Sequence, residues 1–106
     1  MIPVKNKLRT PEVKKVFVSP TKVFSSDIFK ILAILNGFEH SKFAVVVPKT
    51  VTKKVIERNS LKRRVFSALS SVYKDIKPGM YVIIVNNKTA DTDISDVESE
   101  FKRLLI

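Results

Sequence analysis

The chain has no cysteine and a single histidine, His40. The first absence excludes disulfides and thiolate metal sites, and the second excludes a histidine-based metal cluster. Long hydrophobic runs are missing too. The apolar stretches are a few residues long, where a membrane-spanning helix needs about 20. The amino-terminal residues alternate lysine with apolar side chains and lack a continuous apolar segment before a small-residue cleavage site, so no secretory signal is expected. These absences point to a soluble protein without a membrane partner and with a cytoplasmic location.

Acidic residues are also scarce, 10 Asp and Glu against 20 Lys and Arg, for a net charge of +10. The imbalance is uneven along the chain. Asp91, Asp93, Asp96, Glu98 and Glu100 face only Lys102 and Arg103 in residues 91–106, a local −3, which leaves +13 on residues 1–90. Segregation of this kind, without a basic amphipathic terminal helix, is the footprint of nucleic-acid binding rather than of membrane attachment. The 106 residues are 44% hydrophobic and include seven Phe. That is enough for one domain, residues 1–106, with a modest core and no covalent staples.

Thr10-Pro11-Glu12 reads as a helix start, with Thr10 as N-cap and Pro11 at the first helical position; Val13, Val16 and Phe17 give an apolar face, and Ser19-Pro20 ends the helix. Residues 28–35 read as a strand. Asn36-Gly37 is a turn signal, and residues through Ser41 read as a hairpin loop, in which His40 is an ordinary loop residue. A second strand covers 42–47 and stops at Pro48, followed by a basic connector from Lys49 to Lys54. Thr52 is a candidate cap for a long helix reaching about Ile76, which Lys77-Pro78-Gly79 terminates. Met80 to Val85 is a third strand. The chain closes in a helix with a Ser95/Glu98 capping box and an apolar stripe of Ile94, Val97, Phe101, Leu104 and Leu105. The expected order is αββαβα, an α+β sandwich on a three-strand core sheet.

The long helix carries the most specific signal. With about 100° per residue and Arg58 as zero, Lys62 falls near 40°, Phe66 near 80°, Asn59 near 100° and Arg63 near 140°. Leu61, Val65, Ala68, Leu69, Val72 and Ile76 fall on a separate stripe suited to burial. Like charges at this spacing weaken a helix by a few tenths of a kcal/mol each. Cations in its first turn also oppose the macrodipole, whereas an anion there is favoured by both the dipole and Lys49, Lys53 and Lys54. The face therefore implies an anionic partner. Asn59 has a local structural hydrogen bond as its alternative role.

Arg58-Asn59-x-x-Lys62-Arg63, preceded by an apolar strand and a lysine-containing loop, resembles the signature of the bacterial ribonuclease P protein component family. Lys5-Asn6-Lys7-Leu8-Arg9 with Lys15-Val16-Phe17, Phe43 to Lys49, Met80 to Val85 and the acidic, leucine-ending last helix extend the resemblance over nearly the whole chain. It implies an αββαβα fold with a left-handed βαβ crossover, an exception to the usual hand. It also implies a non-catalytic subunit of a ribonucleoprotein endoribonuclease. The RNA subunit cleaves precursor tRNA with Mg²⁺, and the protein, expected as a monomer in the holoenzyme, binds that RNA through Lys49, Lys53, Lys54, Arg58, Asn59, Lys62 and Arg63. A cleft formed by Phe17, Lys30, Leu32 and Phe66 would hold the 5′ leader. The family pattern usually reads Arg-Asn-Arg, with arginine where Ser60 stands, a basic and acidic pair where Phe66-Ser67 stand, and a loop glycine near Val51-Thr52. The basic face here is thinner, which shifts weight to the loop lysines.

Bland readings stand beside these. Phe66 fits the core margin near Tyr73 as well as base stacking, Phe17 fits the core, and Lys30 fits an exposed sheet blunted by charge. Asp91, Asp93 and Asp96 suit a helix start, so no protein metal site and no catalytic residue are assigned. A basic structural RNA-binding protein, such as a ribosome-associated factor, is the rival function. A self-contained metal nuclease is disfavoured because the carboxylates gather at 91–100, away from the basic segment.

Overall fold

A computed structural model describes residues 3–35 and 37–106. Helix α1 is Thr10–Val18, and strands β1, β2 and β3 are Lys22–Ser25, Phe29–Ile34 and Ser41–Val46. Helix α2 is Val55–Ser70, strand β4 is Gly79–Val85, and helices α3 and α4 are Asn87–Ala90 and Ile94–Leu105. Single 3₁₀ turns lie at Val4–Asn6 and Tyr73–Asp75. The three expected strands form the heart of one mixed sheet of order β1-β2-β4-β3. Strand β1 adds a fourth, edge position.

Strands β2 and β3 are not hydrogen-bonded to each other. β4 inserts between them, antiparallel to β2 and parallel to β3, so the 37–41 segment joins non-neighbours and the expected hairpin is corrected. Gly37 adopts φ +83°, a left-handed conformation that glycine tolerates. Asn36 of the same turn lies outside the described residues. The connection from β3 to its parallel neighbour β4 runs through α2, as parallel pairing demands.

Each sheet face has its own core. Phe29, Ile31, Ala33, Phe43, Val45, Tyr81, Ile83 and Val85 point toward α2 and α4, meeting Leu61, Val65, Ala68, Leu69, Val97, Phe101 and Leu105. Phe29 stacks on Phe101 at 4.7 Å between ring centroids, and Phe43 on Tyr81 at 5.4 Å. On the other face, Leu32, Met80 and Val82 are covered by Val16 of α1. The outer edge of β3 is partly closed by the amino-terminal segment. Leu8 N–H donates to the Phe43 carbonyl at 2.9 Å, and Asn6 Nδ2 donates to the Ser41 carbonyl at 2.6 Å.

The amino-terminal caps of α1, α2 and α4 differ from the expected ones, whereas α1 ends at Ser19 as expected. α1 has Arg9, not Thr10, as N-cap, because the Glu12 carboxylate accepts the Arg9 N–H at 3.0 Å and fixes the chain one residue earlier. α2 begins after Lys54, while Thr52 donates its hydroxyl hydrogen to the Glu57 carboxylate at 2.5 Å. Its carboxyl end comes at Ser70, whose hydroxyl donates to the Ser67 carbonyl and competes with the helical pattern. Val72 and Ile76 remain buried beyond that end, beside the 3₁₀ turn. Asp93 is the N-cap of α4; Ser95 lies inside the helix and Glu98 pairs with Lys102 rather than closing a capping box.

Candidate nucleic-acid interface

Helix α2 turns its apolar stripe inward completely: Leu61, Val65, Ala68 and Leu69 are at most 5% exposed. That burial fixes the helix rotation and leaves Asn59, Lys62 and Arg63 on the surface, with Arg58 half-buried. Lys49, Lys53 and Lys54, on the segment leading from β3 into the helix, are exposed too. Among the described residues, Lys49, Lys53, Arg58, Lys62 and Arg63 have no carboxylate in an ion pair. Arg58 Nη1 donates to the Lys53 carbonyl at 3.4 Å, tying the helix to its preceding loop. Glu57, the one acid of the first turn, is drawn toward Thr52 and Lys54. The seven expected cation and amide positions therefore run from the segment leading into α2 to the middle of that helix.

Arg64 is different from its neighbours. Its guanidinium donates to the Ala90 carbonyl at 2.9 Å and to the Thr92 carbonyl at 2.7 Å. It pins α2 to the end of α3 and the turn that follows, and at about 240° from Arg58 it lies away from the basic face.

The four cleft candidates do not share one surface. Lys30 is exposed on the α1 side of the sheet, opposite Ser25 on β1 and Ile84 on β4, and Ile84 in turn pairs with Val46 on β3. Leu32 belongs to the same face, but at 8% exposure it is floor rather than wall. Phe17 projects from α1, which covers that face, and is 44% exposed. The row Ser25, Lys30, Ile84, Val46 runs across the sheet at the carboxyl end of β3 and β4, and Lys49 follows Val46 by three residues. Phe66 instead packs half-buried against the α2 and α4 core on the opposite face. This corrects its inclusion with Phe17, Lys30 and Leu32. The helical wheel set its angle on α2 but carried no information about which sheet face α2 covers.

One neighbour of the site was not expected from the sequence. Lys7 Nζ lies 5.2 Å from the centroid of the Phe66 ring, within cation–π range, so the amino-terminal segment continues the basic surface beyond α2. The parallel bridge between Lys7 and Phe43 that brings it there is a contact across 36 positions of sequence. Elsewhere, the Arg9 N–H and then the Lys42 ammonium hold the Glu12 carboxyl below the usual carboxylate range, against the opposing effect of burial. Burial raises Tyr81, whose hydroxyl donates to the Lys77 carbonyl at 2.7 Å. Among the described residues, no three His, Cys, Asp or Glu side chains come together as a metal-binding group, and no helix is long and apolar enough to cross a membrane.

A cationic helix with an exposed lysine on the sheet beyond it suits RNA, but many unrelated domains present that combination. Comparison with known proteins narrows it. The ribonuclease P protein component of Picosynechococcus sp. is 27% identical over 106 residues, covering 99% of this chain and 91% of that protein. The solved RNase P protein of Thermotoga maritima is 26% identical and superposes with a TM-score of 0.79, over 93% of this chain and 94% of that one. The Staphylococcus aureus RNase P protein shares the fold at 12% identity, with a TM-score of 0.76 over 93% and 91% of the two chains. A family model described as Ribonuclease P matches residues 2–106, and with that span of agreement the chain belongs to the ribonuclease P protein family.

Proposed function

We propose that this chain is the protein subunit of ribonuclease P, supporting endonucleolytic removal of the 5′ leader from precursor tRNA. The cations Lys49, Lys53, Lys54, Arg58, Lys62 and Arg63, with the Asn59 amide, bind the RNA subunit. The row of exposed Lys30 with half-buried Ile84 and Val46, with Phe17 on the neighbouring α1 and Leu32 as floor, receives the single-stranded leader. The RNA performs the hydrolysis and holds the Mg²⁺. One copy of the protein serves each RNA, in the cytoplasm.

The observation carrying this reading is the junction of two surfaces at one end of the sheet. Lys30 stands on β2 in register with Ile84 and Val46, and three residues beyond Val46 the chain enters the lysine loop that leads into α2. A strand lying along the row would meet a cation at each end. Exposed Phe17 offers a ring for base stacking, worth about 1–3 kcal/mol per base. The binding itself is electrostatic. Each neutralised phosphate releases counterions, so about six contacts would weaken affinity roughly 10³-fold between 50 and 200 mM salt. The same neutralisation lowers the Mg²⁺ needed for a functional complex.

The test is cleavage of precursor tRNA at low Mg²⁺ by a cognate bacterial ribonuclease P RNA, with and without the protein. Enhancement is expected, together with a preference for precursor over mature tRNA. Salt-dependent RNA binding without either effect would instead indicate a structural RNA-binding protein.

A further inference from the structure

Two aliphatic side chains stand on the wrong side of α2. Ile56 is 81% exposed and Val55 is 59% exposed, whereas the other aliphatic residues of the helix are buried. With about 100° per residue, Val55 falls near 60° and Ile56 near 160° from Arg58, so they bracket Asn59 and lie among Lys62 and Arg63. Neither is explained by the fold. They contribute nothing to the core stripe, and β-branched residues slightly disfavour a helix. Among the described residues, the Asn59 side chain makes no hydrogen bond, and Lys62 and Arg63 have no ion-pair partner. The surface thus combines aliphatic area, a free amide and uncompensated cations within two helical turns.

We propose that this face recognises an unpaired segment of RNA, with Val55 and Ile56 packing on an unstacked base while Asn59 pairs with a base edge and the cations take the flanking phosphates. The inference rests on the reading of α2 as the RNA-binding helix and adds what kind of RNA it contacts. The charges require a polyanion. A regular A-form duplex presents phosphates, ribose hydroxyls and base edges on its accessible side, and offers two aliphatic side chains little apolar surface to cover. An unpaired nucleotide exposes a base face that an apolar side chain can cover, and its edges are free for an amide. A second copy of this chain is a poor occupant, because its net charge of +10 would oppose bringing two such cationic faces together.

The variant Val55→Thr/Ile56→Thr keeps β-branching and charge while replacing a methyl and an ethyl group by hydroxyls. Its binding to ribonuclease P RNA is measured over a salt series beside wild type and Lys62→Ala/Arg63→Ala. The aliphatic variant should bind about tenfold more weakly at every salt concentration, giving a parallel line in log affinity against log salt. The cation variant should give a shallower line. On a fully paired RNA duplex, the aliphatic variant and wild type should bind equally. Equal affinity of the two for ribonuclease P RNA, with wild type still binding steeply in salt, overturns the inference and leaves the proposed function intact. An equal loss on the duplex overturns the assignment to unpaired RNA. A shift of the free protein from dimer to monomer in the variant, with RNA binding unchanged, assigns the patch to self-association and likewise overturns it. Failure of wild type to bind the RNA at all removes the proposed function itself. A matching melting temperature and helix signal establish that each variant is folded, and Ile56→Thr alone provides the milder form of the same test.

Discussion

Arg63 and Arg64 are adjacent in sequence but differ in their surroundings, and on the proposed function single alanine substitutions should separate a binding role from a structural one. The Arg64 guanidinium spans from α2 to the carbonyls of Ala90 and Thr92 at 2.9 and 2.7 Å. Charge-assisted hydrogen bonds contribute about 1.5–3 kcal/mol each when well buried. Arg64 is half-buried, and water can reach carbonyls that it leaves, so Arg64→Ala should cost about 1–2 kcal/mol in total. For a domain of this size that lowers the melting temperature by about 4–8 °C. Arg63 is exposed and has no ion-pair partner among the described residues, so Arg63→Ala should change stability by less than about 0.5 kcal/mol. Its effect belongs to binding. Losing one phosphate contact makes the slope of log affinity against log salt shallower by roughly 0.7–0.9. Thermal unfolding followed by circular dichroism, and fluorescence anisotropy with ribonuclease P RNA over a salt series, measure the two quantities. An Arg64→Ala protein with unchanged melting and a shallower salt slope, beside an Arg63→Ala protein that melts early, would refute the division.

Gly79→Ala should destabilise the fold by about 1–3 kcal/mol in urea titration, because its Cβ would meet the Ile34 carbonyl oxygen at 2.9 Å and the Leu35 Cα at 3.3 Å, backbone atoms held by the sheet. Val65 is 0% exposed, so Val65→Asp should abolish the cooperative unfolding transition seen by circular dichroism, since an unpaired charge in that position costs several kcal/mol. The lowered Glu12 pKa makes its charge stabilising above the ordinary carboxylate value, a contribution lost as pH falls through the lowered one. Glu12→Gln should therefore flatten the acid side of the stability profile, measured by urea unfolding as a function of pH, while costing less than about 1 kcal/mol near neutrality.

Helix phase was the most legible part of this sequence, because the period of Leu61, Val65, Ala68 and Leu69 is local and strong. The same phase separated Arg58, Lys62 and Arg63 from the core and set Arg64 apart. Strand β1 was not legible: Lys22–Ser25 is four residues with no buried position, so no alternating apolar pattern marks it. Its place comes from pairing with β2. The insertion of β4 between β2 and β3 is likewise a long-range choice, which Asn36-Gly37 as a local turn signal could not reveal. Phe66 failed as a cleft residue for the same reason. Its neighbours depend on which sheet face α2 covers, and Lys7 reaches it only through the bridge to Phe43. Caps moved by a few positions where side chains such as Glu12 and Thr52 found hydrogen bonds that type and spacing alone do not rank.

The acidic tail sharpens the basic site through its position rather than by lowering the net charge. α4 packs against α2 and buries Val97, Phe101 and Leu105 in their shared core. Two of its acids are satisfied locally, Glu98 with Lys102 at 3.8 Å and Glu100 with Arg103 at 2.7 Å. Asp93 and Asp96 lie at its amino end, where the helix dipole favours them. This end follows Ala90 and Thr92, the residues gripped by Arg64, so carboxylates occupy the Arg64 flank of α2. An RNA approaching from that flank meets negative charge within a Debye length of about 8–10 Å. The other flank presents Arg58, Lys62 and Arg63, then Phe66 with the Lys7 ammonium over its ring. On the proposed function, repulsion on one side and attraction on the other would orient the polyanion across α2 toward the amino-terminal segment. On the same reading, a thin row of cations would therefore direct RNA binding even with Ser60 between its basic positions and Ser67 beyond them.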